Sequence, residues 1–126
     1  MKDNSFLHRQ VHPSFVQGDT ISSQVFTSQV FKPTPKDDFQ LSTYNGELFN
    51  AEESFYHYID DGKKSSGVVA VTKEECNLNG LPVNLDNDPF EGHCSISYEG
   101  LTSGQISKKA KKLKSLASIR GWQFQP

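Results

Sequence analysis

The stretch Gly67-Val-Val-Ala-Val-Thr-Lys-Glu-Glu75 joins the clearest strand of the chain to the start of a helix. The apolar run that ends at Thr72 is bounded by serine and glycine, which is typical of a central strand buried on both faces. Thr72 and Glu75 have the spacing of a capping box, and Gly80 is placed to end the short helix that follows. This stretch therefore predicts a sheet and a helix that pack together.

Two further segments alternate between apolar and polar residues in the manner of strands. In residues 6–12 one face carries Leu7 and Val11, and the other carries His8, Gln10 and His12. Pro13 follows at once and favours a turn rather than a helix. Residues 93–98 predict a half-buried strand whose inner face carries Cys94, Ile96 and Tyr98.

A second helix is expected directly after Asn50. Asn50 is a suitable N-cap, and Glu53 three residues later completes another capping-box pair. Phe55 and Ile59 are four residues apart and would face the core. The helix is expected to end at residues 60–62, Asp-Asp-Gly.

The last helix is long and basic. It is expected to begin at Thr102 or Ser103 and to end at Arg120, with Gly121 as its stop signal. An apolar stripe recurs along it at helical spacing, and its members are Ile106, Ala110, Leu113 and Ala117. In the final residues Trp122 and Phe124 alternate with glutamines, which predicts a short extended segment.

The remaining segments indicate turns and loops. Gln17-Gly18-Asp19 is a turn, residues 32–38 contain two prolines that exclude regular structure, and residues 81–91 form a polar loop. The tetrapeptide Ser-Gln-Val-Phe occurs at 23–26 and again at 28–31, which indicates a small duplication in a loop or a bulged strand. At 126 residues the chain predicts one α+β domain, 1–126, with a small, mostly antiparallel sheet, one long basic C-terminal helix and one or two short helices.

Charge is distributed very unevenly along the chain. Residues 1–106 contain seven basic and fifteen acidic residues, whereas residues 107–126 contain six basic residues and no acidic one. A formal net charge of −2 therefore hides an acidic body and a basic C-terminal element. The local field decides which partners are attracted at long range, so the last helix is a candidate binding element.

The composition also points to a location. The sequence contains no apolar run near the ~20 residues that span a bilayer and no apolar stretch of signal-peptide length, so neither membrane nor secretion is expected. Cys76 and Cys94 are then best interpreted as reduced, buried thiols. We expect a cytoplasmic protein without a cofactor, and the sequence leaves its oligomeric state open.

The lysines of the last helix are the first candidate site. Lys108, Lys109, Lys111, Lys112 and Lys114 could follow a phosphate backbone with salt-sensitive affinity, or dock on an acidic protein partner. They could equally be a solvated helix face that serves solubility. Lysine without interleaved aromatic residues or arginine reads nucleic-acid sequence poorly.

A second candidate site lies near the end of the first strand. The guanidinium of Arg9 suits phosphate or carboxylate, and His12 supplies an imidazole, a group common in binding and catalytic sites. Ser42 and Tyr44 could add hydroxyl donors for a ligand such as a nucleotide. The alternative is structural: Arg9 in a buried hydrogen-bond network, His12 fixing the turn at Pro13, and the hydroxyls packing at a strand edge.

Whether the protein is an enzyme stays open. The order of Arg9, Ser42 and Glu52 or Glu53 resembles the Arg–Ser–Glu order of some ADP-ribosyltransferases. That resemblance implies an arginine on the phosphates of NAD, a serine on a supporting strand and a glutamate beside the oxocarbenium-like centre. The serine-to-glutamate spacing here is short for that fold, and Glu53 is already explained by helix capping.

Metal binding and cysteine catalysis are not indicated. The sequence has neither a Cys-x-x-Cys nor a His-Glu-x-x-His pattern, and His8 and His12 have helical spacing in a segment that is not helical. No metal site is therefore expected. His93 and Cys94 are neighbours in a strand and point to opposite faces, so they do not form a catalytic pair.

Several short stretches resemble a family of small bacterial proteins that has no assigned function. They are Arg9-Gln-Val-His-Pro13, residues 28–37, Leu41-Ser-Thr-Tyr44, Ala51-Glu-Glu53, Gly67–Thr72, Asp88-Pro89, and His93 with Ile96. Against that pattern the copy at 23–26 looks like an insertion. The resemblance implies a stand-alone domain and no particular activity. A protein-interaction subunit of a defence or toxin–antitoxin system is a third functional hypothesis.

Overall fold

A computed structural model describes residues 1–16 and 26–126. The strands are β1 (Phe6–Gln10), β2 (Gln40–Asn45), β3 (Val68–Thr72), β4 (Val83–Asn84) and β5 (His93–Ser97), and the helices are α1 (Ala51–Asp60), α2 (Lys73–Leu78) and α3 (Ser103–Arg120). The turn at 17–19 and most of the first Ser-Gln-Val-Phe copy lie outside the described residues.

The five strands form one antiparallel sheet in the order β3-β1-β2-β5-β4. Together with α3 and the shorter helices it makes an α+β fold, as the sequence predicts. No helix in the described ranges is both long and apolar enough to cross a membrane.

The position of β3 corrects one prediction. β3 is buried on both faces, but it lies at the edge of the strand order and pairs with β1 alone among the strands. Its other side is covered by the C-terminal segment, where Val68 N donates to Phe124 O at 2.9 Å and Gln123 N donates to Val68 O at 2.8 Å. A continuous apolar run reports burial of both faces of a strand, and it carries no information about the number of neighbouring strands.

Three loop predictions also change. The second Ser-Gln-Val-Phe copy, Ser28–Phe31, is a 3-10 turn that buries Val30 and Phe31. The proline-containing loop holds another 3-10 turn, Pro35–Asp37, because proline is well suited to the first position of a helical turn. The segment 81–91 contains the two-residue strand β4, which pairs with β5.

The two faces of the sheet are covered by different helices. On one face the apolar stripe of α3 is buried together with Leu7, Val69, Val71 and Ile96. On the other face Gln10 donates to Ser54 of α1, where Phe55 is buried and Ile59 is half-buried. Adjacent residues of a strand point to opposite faces, so α1 and α3 lie on opposite sides of the sheet.

All three helices begin with a capping box. The pairs are Asn50 with Glu53, Thr72 with Glu75, and Thr102 with Gln105. In each pair the N-cap side chain accepts a hydrogen bond from the backbone N–H of the third helical residue. The side chain of that residue in turn accepts a hydrogen bond from the backbone N–H of the N-cap. These caps confirm the predicted N-caps Asn50 and Thr72, and they show that Thr102 is the N-cap of α3, whose first residue is Ser103.

Glu75 also anchors the far end of α3. Arg120 donates to the two carboxylate oxygens of Glu75 at 2.9 and 3.0 Å and to Ala70 O at 2.9 Å. Burial acts to raise the pKa of Glu75, but the hydrogen bonds from Arg120 and Thr72 outweigh it and lower the pKa overall. One carboxylate thus joins the start of α2 to the end of α3.

Replacing Arg120 with alanine leaves the half-buried carboxylate of Glu75 without its cation. We expect the free energy of unfolding at neutral pH to fall by about 2 kcal/mol, as measured by urea denaturation. Because the pKa of Glu75 is lowered, this difference between the proteins should shrink as the pH falls through that pKa. Lys108→Ala removes an exposed cation from the same helix and should change stability by less than about 0.5 kcal/mol. Equal losses in the two variants would contradict the anchoring role.

Candidate functional site

β1 and β2 separate shortly after they meet. Their ladder contains only two residue pairs, Leu7 with Asn45 and His8 with Tyr44. Beyond His8 the side chain of Arg9 spans the gap between the strands. Arg9 Nη1 donates to Ser42 O of β2 at 2.9 Å, and Arg9 Nε donates to Val30 O in the 3-10 turn at 2.8 Å.

The positive charge of Arg9 is not matched by an adjacent carboxylate. Within residues 1–16 and 26–126 no acidic side chain lies within ion-pair distance of Arg9, and Arg9 Nη2 donates to no residue. Burial lowers the pKa of Arg9, although an arginine remains protonated at any physiological pH. Asp37 raises the pKa of Arg9 only by its electrostatic field, without a direct contact. The Asp37 carboxylate instead accepts a hydrogen bond from Thr34 Oγ1 at 2.9 Å.

The separation of the strands opens a hollow on the α1 side of the sheet, which we call the β1–β2 cleft. Its volume is about 120 Å³. Strands β1, β2 and β5 form its floor, and α1 and two loops form its walls. The lining residues are His8, Arg9, Gln10, Ser42, Thr43, Tyr44, Tyr58, Lys63, Pro89, Phe90 and His93.

His8 is the least satisfied polar group in this cleft. Only 4 % of the residue is exposed, and its Nδ1 has no hydrogen-bond partner in the described chain. Burial lowers the pKa of His8 to about 4, and a backbone hydrogen bond at Phe49 opposes this only in part. The ring is therefore neutral at pH 7.

Several other polar groups of the cleft are already paired. The hydroxyl of Tyr44 lies 2.8 Å from His57 Nδ1, and burial raises the pKa of Tyr44. His93 Nδ1 lies 2.6 Å from Asp86, which also accepts from Ser95 Oγ at 2.5 Å. Burial acts to raise the pKa of Asp86, but these two hydrogen bonds outweigh it and lower the pKa. These contacts fix the side chains around the cleft.

The structure brings together three of the four predicted ligand residues. Arg9, Ser42 and Tyr44 line the β1–β2 cleft, and His12 does not. The Nδ1 atom of His12 accepts from Ser14 N at 3.1 Å and caps the turn at Pro13. The structure thus shows for His12 the turn-fixing role that the sequence left as the alternative.

Glu52 and Glu53 lie away from Arg9 and Ser42. Both are exposed at the start of α1, and the carboxylate of Glu53 accepts from Asn50 N at 2.9 Å in the capping box. Neither residue lines the β1–β2 cleft. Of the residues in the Arg–Ser–Glu order, Arg9 and Ser42 thus lie together in the cleft, and neither glutamate lies with them.

The lysines of α3 line a separate surface on the other side of the sheet. An open hollow of about 550 Å³, which we call the lysine groove, lies between α3 and the end of α2. Its lining contains only polar residues, namely Asn79, Gln105, Lys108, Lys109, Lys111, Lys112 and Ser115.

The five candidate lysines differ in what they contact. Lys109 Nζ donates to Asn79 O, and Lys114 Nζ lies 5.9 Å from the centre of the Phe26 ring. Lys108, Lys111 and Lys112 are exposed and have no ion-pair partner in the described part of the chain. Three lysines are thus available to a ligand, whereas Lys109 and Lys114 also hold α3 in place.

The cysteines are buried and are not bonded to each other. Burial raises the pKa of the Cys76 thiol to about 12 and that of the Cys94 thiol to about 11, so neither forms a thiolate at neutral pH. The residues that the structure describes contain no cluster of three side chains that could hold a metal ion.

Sequence reasoning missed most of the cleft. His8 had a signal, because it alternates with Leu7 at a position that a strand buries. Tyr58, Lys63 and Phe90 had none, since they come from a helix and two loops that meet only in the folded chain.

Comparisons of the chain with protein-family models, curated proteins and solved structures found no match.

The burial of His8 predicts a pH-dependent stability. The unfolded chain protonates His8 near pH 6.5, whereas the folded chain does so only near pH 4. The unfolded state therefore binds more protons between these values, and stability should fall by about 3 kcal/mol as the pH drops from 6.5 to 4. Urea denaturation across this range should show that His8→Leu lacks this part of the pH dependence. A variant that keeps it in full would contradict a neutral, buried His8.

Proposed function

We propose that the protein is a small binding module that holds the phosphate backbone of nucleic acid in the lysine groove. The observation that supports this most is the set of exposed cations Lys108, Lys111 and Lys112 on one face of α3, which have no ion-pair partner among the described residues. Within residues 1–16 and 26–126, no carboxylate lines the groove to neutralise them. Lysine ammonium groups bind phosphate as point charges, so this surface suits a polyanion.

The polar lining favours nucleic acid over an acidic protein. Protein interfaces usually contain an apolar or aromatic centre that excludes water. Among the described residues, those that line the lysine groove all end in amide, hydroxyl or ammonium groups, and the methylene stems of the lysines supply the rest of its surface. Contacts to a phosphate backbone are of this polar, charge-assisted kind.

The placement of the acidic residues also supports the proposal. Glu52, Glu53 and Asp60 belong to α1, which covers the opposite face of the sheet from α3. These three carboxylates therefore lie on the other side of the sheet from a strand bound in the lysine groove. Charges separated by more than a Debye length of about 8 Å are largely screened at physiological salt.

The groove is expected to bind without sequence preference. From Lys108 to Lys112 the helix rises about 6 Å, which allows these lysines to reach about three phosphates. Lysine lacks the bidentate fork with which arginine reads guanine, so the bases are not distinguished. The two buried, unbonded cysteines favour a reducing compartment, and we place the protein in the cytoplasm.

Replacing Lys108, Lys111 and Lys112 with glutamine removes the three exposed cations of the groove. Fluorescence anisotropy with two duplexes of unrelated sequence should show equal binding by the wild type. The logarithm of its association constant should fall with the logarithm of salt concentration at a slope of about −3. We expect the variant to bind at least roughly tenfold more weakly at low salt, with a slope near zero.

A matched control separates location from net charge. Lys2, Lys36 and Lys64 are exposed lysines outside the groove, and replacing them with glutamine changes the net charge equally. This control should bind duplex DNA within about threefold of the wild type. Equal loss in both triple variants would reject the groove, and tighter binding of poly-glutamate than of DNA would replace nucleic acid with an acidic protein partner.

A further inference from the structure

We infer that copies of this chain associate head to tail, with the lysine groove of one copy docked on the α1 side of the next. The groove would meet a hollow of about 420 Å³ at the C-terminal end of α1, which we call the acidic hollow. Its lining residues are His57, Asp60, Asp61, Pro89 and Phe90. The inference uses the groove lysines but does not require that they bind nucleic acid.

The charge of the acidic hollow favours a cation. The carboxylate of Asp60 has no ion-pair partner among the described residues, and that of Asp61 pairs only with Lys63, at 3.4 Å on the exposed surface. The C-terminal end of a helix carries a partial negative charge, which adds to the charge of the two carboxylates. An ammonium group placed in the hollow would therefore be attracted by the helix end as well as by the side chains.

The other walls of the acidic hollow suit the stem of a lysine. Pro89 and Phe90 present apolar surface beside the carboxylates. The methylene groups of a lysine can lie along such surface while its ammonium group reaches the carboxylates. An aromatic ring also attracts a cation that lies over its face. The hollow thus matches a long basic side chain in both parts of its chemistry.

The outward face of α3 supplies such side chains. Lys108, Lys112 and Ser115 recur every three or four residues on the side of α3 opposite its buried apolar stripe. Both lysines are exposed and have no ion-pair partner in the described ranges of the chain. Ile119, which is 85 % exposed, lies on the same face one turn beyond Ser115. This face therefore carries cations followed by an apolar residue.

The outward face of α1 has the complementary pattern. Glu53, Tyr56 and Asp60 are exposed and recur at helical spacing, away from the buried Phe55. Tyr56 lies between the two carboxylates along the helix, and its ring is a suitable contact for Ile119 of the neighbouring copy. The two helix faces therefore match in charge and each offers one apolar side chain.

A symmetric dimer cannot satisfy these charges. The lysine groove and α1 lie on opposite sides of the sheet, so a two-fold contact through either surface would bring like charges together. A head-to-tail contact brings unlike charges together and leaves each copy with one surface free for the next. The association should therefore lengthen with protein concentration and not stop at a dimer.

The contact should be weak and sensitive to salt. It is mainly polar and charged, with Ile119 and Tyr56 as its exposed apolar residues, whereas a stable interface has an apolar centre that excludes water. Salt shortens the Debye length from about 30 Å at 0.01 M to about 8 Å at 0.15 M, which screens such exposed charges. This weakness is compatible with a groove whose polar lining favours nucleic acid as its principal ligand.

Sedimentation velocity in the absence of nucleic acid tests the inference. At about 0.02 M salt the sedimentation coefficient of the wild type should rise over a roughly hundredfold range of protein concentration, to species larger than a dimer. At about 0.5 M salt it should stay at the monomer value. A coefficient that is independent of concentration at low salt overturns the inference, and so does one that stops rising at the dimer.

Charge reversal on either surface identifies the contact. Asp60→Lys with Asp61→Lys reverses the acidic hollow, and Lys108→Glu with Lys112→Glu reverses the lysine groove. Each double variant alone should remain monomeric at low salt, because both of its surfaces then carry the same sign. An equimolar mixture of the two variants should associate, since each offers the surface that the other needs. A mixture that stays monomeric overturns the inference.

A matched control separates the acidic hollow from net charge. Asp3 and Glu99 are exposed carboxylates outside both surfaces, and replacing them with lysine changes the net charge as the hollow variant does. This control should associate as the wild type does, and a loss as complete as that of the hollow variant overturns the inference. The hollow variant keeps the lysine groove, so its duplex binding reports on nucleic acid separately. Failure of either proposal thus leaves the other standing.

Discussion

The hydrogen bonds of Arg9 hold the architecture of the sheet together. β1 leaves β2 after two residue pairs, and the guanidinium then bonds to carbonyls 33 and 21 residues further along the chain, in β2 and in the turn Ser28–Phe31. Without the guanidinium, both carbonyls would lose this hydrogen-bond donor in a half-buried place. The same contacts keep the β1–β2 cleft open and position the turn that buries Val30 and Phe31.

Arg9 and the exposed lysines of α3 are cations without an ion-pair partner among the described residues, but they are held in different ways. The guanidinium of Arg9 is fixed by two backbone carbonyls, those of Ser42 and Val30. On α3 the exposed lysines are mobile point charges around an open groove. The first arrangement joins parts of the fold, and the second suits non-selective attraction of a long polyanion.

Local signals in the sequence predicted most of the secondary structure. The capping boxes at Asn50 and Thr72, the apolar stripe of α3 and the alternation in β1 and β5 each depend on residues within a few positions of one another. The strand order could not be predicted in this way, and β3 was wrongly expected at the centre. Only a minor part of the cleft was predicted, because Arg9, Ser42 and Tyr44 meet residues such as Tyr58 and Phe90 only through long-range packing.

The most direct test of this account is the state of the Arg9 side chain in solution. Nuclear magnetic resonance can follow the exchange of the Arg9 Nε–H with water and its scalar coupling to the Val30 carbonyl carbon. We predict slow exchange and a measurable coupling, since Nε donates to Val30 O at 2.8 Å in a half-buried position. Exchange as fast as that of a solvated arginine, with no coupling, would contradict the central role of Arg9.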